Sequence, residues 1–506
     1  MIMTHPGLPY EWAIIICLLM IILIVLALRT SSIYEPRQYS INLVELPVIG
    51  PLIKFLTFNS WPLFILKLIV VLLFLFVITA GLFGSPIAER NLATVLTWNL
   101  WWTGVIVSVF FLGSAWCAIC PWDTIAGWLI RRRLWYRTSS NNSLNLKLPK
   151  RLRNIYPALF LLVGLTWLEL GFGFTINPYM TAFLGLLIML LAIFSLAIYE
   201  NKPFCRFFCP IGRTIGFYSQ LAVVELRPID TDICANCTTL ECYYGTETIE
   251  PCPTRLVMGR LKQNTYCTSC GNCVQSCSKK NIAWRMRPPT REIAQDARSH
   301  WDEAWFILIL LGITSFHGVT MMPFFEKVLS KLGYMINDSG SLLLTFSILL
   351  FISLLISLLV YIFFIWLTKI LSISPISFKK LFSGFAFTAL PLAFVYHLAH
   401  NLNHLVREND GIGQIILNPL GIEAEPLSMM EKHARHTEIL LNQDLIFLLQ
   451  SSLIVFGFWV SLKIIQNRGI SLIKINGRYL LPMIMFSVLI TGIHLWLLTQ
   501  PMIMRM

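Results

Sequence analysis

The sequence predicts an all-α polytopic membrane protein of about ten transmembrane helices, interrupted by one polar, cysteine-rich domain. Three observations predict it. Of 506 residues, 56% are hydrophobic and only 13% charged, with a mean hydropathy of +0.69; a water-soluble core has no use for that much apolar material. Ten apolar runs approach or reach the length that crosses about 30 Å of hydrocarbon: 11–28, 60–84, 92–114, 155–174, 178–199, 303–323, 341–368, 381–401, 445–464 and 479–499. Lysine and arginine, finally, collect in alternate loops.

The first run could be a removed signal peptide. Its leader, "MIMTHPGLPYEW", has no Lys or Arg, and no small-residue cleavage site follows, so it reads as a span. Loop 115–153 holds Arg131, Arg132, Arg133, Arg137, Lys147, Lys150, Arg151 and Arg153 against one aspartate. Segment 200–302 and the loops around Lys369, Lys379 and Lys380, and around Arg468, Lys474 and Arg478, are also basic. The alternate loops 85–91 and 175–177 are nearly neutral, and 405–444 is acidic. Ten spans put every basic loop on one side, expected to be cytoplasmic, with both termini and the histidine-rich loop outside. The net charge of +13 is thus a topology signal directed at membrane lipid. It makes no case for nucleic acid.

Segment 200–302 carries ten of the thirteen cysteines. Its second group, Cys267, Cys270, Cys273 and Cys277, is spaced C-x2-C-x2-C-x3-C. Three such thiolates on a tight turn suit three corners of a [4Fe–4S] cube, and the fourth serves another cluster. Gly271 lets the backbone wrap closely. The first group is Cys234, Cys237, Cys242 and Cys252, spaced C-x2-C-x4-C-x9-C and followed by Pro253. A disulfide framework does not suit a reducing compartment. Paired zinc knuckles would favour wider separation and often a histidine, and none lies between these cysteines. Two iron–sulfur clusters are the expectation.

Two further pairs, "WCAICPWD" and "FCRFFCPIGRTIG", place Cys117 and Cys120, then Cys205 and Cys209, where the third and fifth spans end. Proline ends a helix and can present a thiolate at the interface. Four thiols at one depth could bind a third cluster, bind copper or zinc, or cycle through a disulfide. Cys17, inside the first span, is expected to be a small core residue.

The eight-cysteine segment resembles a two-cluster ferredoxin domain. That resemblance implies crossed ligation, with Cys234, Cys237, Cys242 and Cys277 on one cluster and Cys252, Cys267, Cys270 and Cys273 on the other. The x4 and x9 spacings, and Ser278 where the pattern usually has proline, depart from it. With the Cys-Pro motifs, residues 60–290 resemble membrane-bound [4Fe–4S] ferredoxins of the NapH/NosR/CcoG type. The resemblance implies electron transfer with the quinone pool, or reduction of a metal during assembly of a respiratory enzyme. The C-terminal five spans are not matched. The domains expected are 1–59, an N-terminal helix and loop; 60–222, a bundle with the Cys-Pro motifs; 223–290, the ferredoxin-like domain; and 303–506, a five-helix membrane domain.

The histidines lie in that last domain. His317, His397, His400, His404 and His494 approach the outer ends of three spans, while His433 and His436 sit in the outer loop among charged neighbours, as solvated histidines do. Ionisable groups within spans are uncommon unless paired or facing a cavity. Such histidines can bind haem b or copper, or accept a quinol proton. His397 to His404 spans about 10 Å of helix axis, too far for one ion, so a cross-helix pair of His400 with His317 or His494 is expected. Glu169 is the main intramembrane carboxylate. The function expected is quinol dehydrogenase-like electron transfer between the quinone pool, two clusters and a periplasmic or membrane redox partner. The alternative is an assembly factor that reduces copper or a disulfide. A transporter fits less well, since no inverted repeat of broken helices is visible.

Overall fold

The computed structural model describes residues 4–29, 40–132, 142–372, 375–407, 412–432, 441–473 and 477–503. Among them, nine helices are long and apolar enough to cross a membrane. They are α1 Tyr10–Arg29, α2 Ser60–Phe83, α3 Leu92–Leu112, α5 Pro178–Ile198, α6 Trp301–Thr320, α7 Leu343–Ser372, α8 Phe378–Val406, α9 Gln443–Ile473 and α10 Leu481–Thr499. A shorter apolar helix, α4 Tyr156–Gly171, completes ten. In hydrocarbon only a helix satisfies every backbone group within its own segment, so apolar runs of this length become helices. The all-α polytopic architecture follows.

The helices are not equally buried. The central apolar stretch of α8 is fully enclosed and that of α6 mostly so, while α1 and α2 show most of their surface to the surroundings. Cys17 lies on α1, of which only Ile16 and Met20 are buried. It faces outward rather than into the core, because a peripheral helix has lipid on most sides. α3 is irregular: Val95–Trp101 is wound as a π-helix, a feature frequent at functional sites.

Strand β1 (Thr4–His5) pairs antiparallel with β5 (Met502–Ile503), Thr4 opposite Ile503 and His5 opposite Met502. The two termini therefore share one end of the bundle. The short loop after α2 meets the segment after α8: the Ser85 amide donates to the Leu420 carbonyl at 2.7 Å, and Arg90 pairs with Glu431 at 2.6 Å. On the opposite face, Arg468 donates to the carbonyls of Ile293 and Ala297, and Lys379 sits 5.4 Å over Trp301.

The cysteine-rich segment builds on a three-stranded sheet, ordered β2 (Ile41–Asn42), β4 (Ile282–Met286), β3 (Val224–Pro228). Here Glu225 stands opposite Arg285 and bonds it at 2.8 Å. β2 comes from the loop after α1, so that loop adds a strand to the cysteine-rich unit. The helix Gly50–Phe58 follows it, with Gln275 donating to the Thr57 carbonyl. A small separate core of Leu226, Met258, Cys273, Val274 and Ile282 packs under the sheet.

Candidate electron-transfer site

Both Cys-Pro motifs begin helices. Cys120 caps Pro121–Arg131 and Cys209 caps Pro210–Tyr218, each with proline as the first helical residue, where its missing N–H costs nothing. Proline thus starts the next helix as well as ending the last. The cap points backbone donors at the thiol: the Gly212 amide lies 3.2 Å from Cys209 Sγ. Cys205 lies in a π-wound turn, Phe204–Phe208. Asp123 ties the two motifs together, accepting from Lys202 at 2.5 Å and from Cys205 Sγ at 3.5 Å.

Cys117, Cys120, Cys205 and Cys209 lie near one another: Cys209 is an electrostatic neighbour of the other three, and Cys120 of Cys117 and Cys205. Burial is the main reason all four are pushed up, Cys117 to about 12. Buried thiols of this kind stay protonated alone and ionise when a soft cation takes the proton's place. That is the chemistry of an iron–sulfur ligand set.

The eight cysteines between 234 and 277 fall into two groups. Cys252, Cys267, Cys270 and Cys273 line one small cavity, and burial pushes Cys267 to about 11. Cys234, Cys237, Cys242 and Cys277 are mutual electrostatic neighbours, with the Asn281 amide donating to Cys234 Sγ at 3.3 Å. The crossed ligation implied by the resemblance would draw one cluster's ligands from each of these groups. The three sets run in order: Cys117 has Cys267 among its neighbours, and Cys273 has Cys242. Among the described residues no three His, Cys, Asp or Glu side chains close around a single-ion site. A cube takes its thiolates at separate corners, a looser spacing than one zinc ion sets.

Hydrogen bonds and charge dock the cysteine-rich unit on the bundle. Arg287 donates to the carbonyls of Ser219 and Ala222 at 3.1 Å and pairs with Glu225 at 2.7 Å and with Glu292. Arg227 bonds Asn264 at 2.7 Å and pairs with the same two glutamates at 3.3 Å. Arg213, fully buried, lies 4.9 Å over Tyr266 and donates to the Thr265 carbonyl.

Beside the Cys-Pro site, within the bundle, lies a cavity of about 210 Å³. Trp98 and Trp101 from the irregular stretch of α3, and Trp102 just after it, line the cavity, as do Trp116, Pro121 and Trp122 from the first Cys-Pro segment. Ile211 and Thr214 follow the second Cys-Pro motif and reach the same wall, which also carries Glu169, His317 and His397. Sequence reasoning missed this cavity. The crowding of tryptophans in "WNLWW" and "WCAICPW" was the available signal.

The expected histidines divide. His397 lies on the cavity wall with the Tyr218 hydroxyl 3.4 Å from Nδ1. His317, also on the wall, sets its ring 5.1 Å from that of His400. His404 stands 5.4 Å from His400 and 5.3 Å from His5. His494 bonds Ser315 at 2.8 Å and stacks on Tyr396 at 4.1 Å, so Tyr396 separates it from His400. His433 and His436 lie outside the described residues.

Residues 94–138 and 181–222 match the family model described as a 4Fe-4S binding domain. Those two segments hold Cys117 and Cys120, and Cys205 and Cys209. An uncharacterized protein of Methanocaldococcus jannaschii is 24% identical over 227 residues, 44% of this chain and 84% of that one. The ferredoxin-type protein NapH of Haemophilus influenzae is 28% identical over 233 residues, 40% of this chain and 73% of that one. The putative electron transport protein YccM of Escherichia coli is 24% identical over 143 residues, 27% of this chain and 38% of that one. No solved structure matches the chain. The likeness supports the membrane-bound ferredoxin family suggested by the cysteine motifs, and with it iron–sulfur electron transport as the general role.

Proposed function

We propose that the protein oxidises a membrane quinol in the tryptophan-lined cavity and relays the electrons along the three cysteine sets to a redox partner. The observation that carries this reading is the shared wall: residues from both Cys-Pro segments, with Glu169, His317 and His397, line one cavity. An apolar cavity of about 150 Å³ takes up benzene, so one of about 210 Å³ has room for a substituted ring. Leu73 lines the cavity and is also well exposed on the outer surface of α2. The wall there is one side chain thick, within reach of a lipid-borne substrate.

A quinol gives up two electrons and two protons on becoming a quinone. Tryptophan rings supply a flat apolar slot, and the carboxylate and imidazoles supply proton acceptors and hydrogen bonds to the two ring oxygens. Cys252, Cys267, Cys270 and Cys273 would hold one [4Fe–4S] cluster, and Cys234, Cys237, Cys242 and Cys277 another. The family-model match favours a third on Cys117, Cys120, Cys205 and Cys209. When bound, such clusters supply one-electron carriers whose potentials the surrounding charge and hydrogen bonds set.

Cys237 is the solvent end of this series, in an open polar hollow with Asp230, Asp232 and Lys279. A partner receiving these electrons docks there, at the opposite end from His5. By the distribution of lysine and arginine that end is cytoplasmic, so the reading moves the partner from the periplasmic side to the cluster side.

Anaerobically purified protein tests the proposal. It should hold about eight irons per chain, or about twelve with the third cluster, and a reduced short-chain quinol should bleach the cluster absorbance. Trp101→Ala should slow that reduction while dithionite still reduces the clusters fully. Clusters reduced by dithionite but by no quinol would overturn the reading in favour of an assembly role.

A further inference from the structure

Four imidazoles form a continuous file from the cavity to the end of the bundle where the termini meet. His317 lies on the cavity wall. From it the ring centroids step 5.1 Å to His400, 5.4 Å to His404 and 5.3 Å to His5. The rings come from three parts of the chain: α6, α8 and the N-terminal strand. All four are buried, His5 completely, yet His5 is followed at once by the exposed Pro6. Its position is built. β1 is paired to β5, the Leu8 amide donates to the Leu498 carbonyl at 2.7 Å, and the Ile503 amide to the Met321 carbonyl at 2.8 Å.

Four polar rings buried in a row in a membrane protein are costly as packing alone. Imidazole can take a proton on one ring nitrogen and release one from the other. At these separations neighbouring nitrogens can meet directly or through one water. Among the described residues, the titratable groups beside the file include Tyr396, whose ring is 5.8 Å from that of His400, and His494, stacked behind Tyr396 on α10. The carboxyl on the cavity wall is Glu169 of α4.

We propose that His317, His400, His404 and His5 conduct protons between the cavity and the surface at the chain termini. The inference rests on quinol oxidation in the cavity: two electrons leave one at a time towards the cysteines, and the two protons of the quinol hydroxyls move in turn through the file in the opposite direction. One substrate molecule then yields electrons at one face and protons at the other.

The test uses the full chain with its clusters, in vesicles whose cluster domains face outward, with a trapped pH dye, a short-chain quinol and an impermeant one-electron acceptor outside. The expected result is acidification of the lumen as the acceptor is reduced. His400→Phe and His404→Ala should slow both by about a hundredfold, the lower end for a lost proton-transfer group. Iron content and dithionite reduction should stay unchanged. Added imidazole should restore His404→Ala, which a packing defect would not allow, and the deuterium solvent isotope effect should rise in both variants. Protons released on the cluster side, or variants that keep the wild-type rate and isotope effect, would overturn the file alone. Wild-type clusters that no quinol reduces would overturn both the file and the quinol reading.

Discussion

At the cysteine end, Arg227, Arg287, Glu225 and Glu292 are buried together as two cations and two anions, each within 3.3 Å of an opposite charge. At the other end, His5, His317, His400 and His404 are buried as deeply, but they lean on one another's rings. The two ends hide polar groups by different physics. Paired charges are rigid: removing one leaves its partner stranded, so the arrangement fixes a docked domain in one position. A file of imidazoles can exchange protons without separating full charges far, so it suits movement of charge better than fixed geometry.

The largest effects should come from breaking the rigid end. Cys273 belongs both to a four-thiol set and to the small core under the sheet. Cys273→Ser should remove about four irons per chain and leave the outlying Cys234 set without its neighbour. Iron analysis and low-temperature electron paramagnetic resonance would show this. His494→Leu, at the opposite end, should leave iron content unchanged. Next in size is Arg287→Ala, which removes the closest cation from Glu225 and Glu292, leaving them to Arg227 and Arg285, and frees the carbonyls of Ser219 and Ala222. Breaking a buried pair in this way costs about 3–5 kcal/mol, read as earlier loss of cluster absorbance on heating.

A smaller effect tests the histidine end. Gly318 follows His317 on α6, and a methyl group there would meet the Tyr396 hydroxyl at 1.9 Å and its ring carbon at 2.8 Å. Gly318→Ala must displace Tyr396, which stacks on His494 and leans on His400. Overpacking of this kind costs about 1–3 kcal/mol. The expected signature is slower quinol-driven reduction with normal iron content, the reverse of the cysteine variant. Equal losses of iron in both variants would show that the two ends do not act separately.

The apolar helices and the spacing of the cysteines were legible in the sequence because their signals are local. Run length sets a span, and C-x2-C spacing sets which thiols share a turn. The crossed grouping of Cys277 with Cys234 was reached through resemblance, since the two lie 43 positions apart (277 − 234). The cavity and the file were not legible. A cavity is a gap left where tryptophans from separate segments fail to close, and no window of sequence contains a gap. His5 meets His404 only because β1 pairs with β5, a contact between opposite ends of the chain. Nor did the pattern around Cys17 reveal which side of α1 faces lipid, because that helix is apolar all round.

The smallest expected effect is a pH dependence confined to the rigid end. Burial alone would raise the Glu225 carboxyl, but Arg227, Arg287 and Arg285 together outweigh it and hold it below the usual carboxylate range. A carboxyl held down in the folded state contributes stability that is fully present above its unfolded value, about 4.3. That contribution is lost as pH falls through the folded value. Neutral Glu225→Gln has no such proton to gain. As pH falls below about 4.3 towards the folded value, the wild-type cluster unit should therefore lose more thermal stability than the Glu225→Gln variant, whose stability is lower at neutral pH. Acid also releases iron from clusters, but that loss acts on both proteins, so the difference between the two curves reports the carboxylate. Parallel curves would mean that the three arginines leave Glu225 with an ordinary proton affinity. The contrast between a charge-locked end and a ring-linked end would then rest on geometry alone.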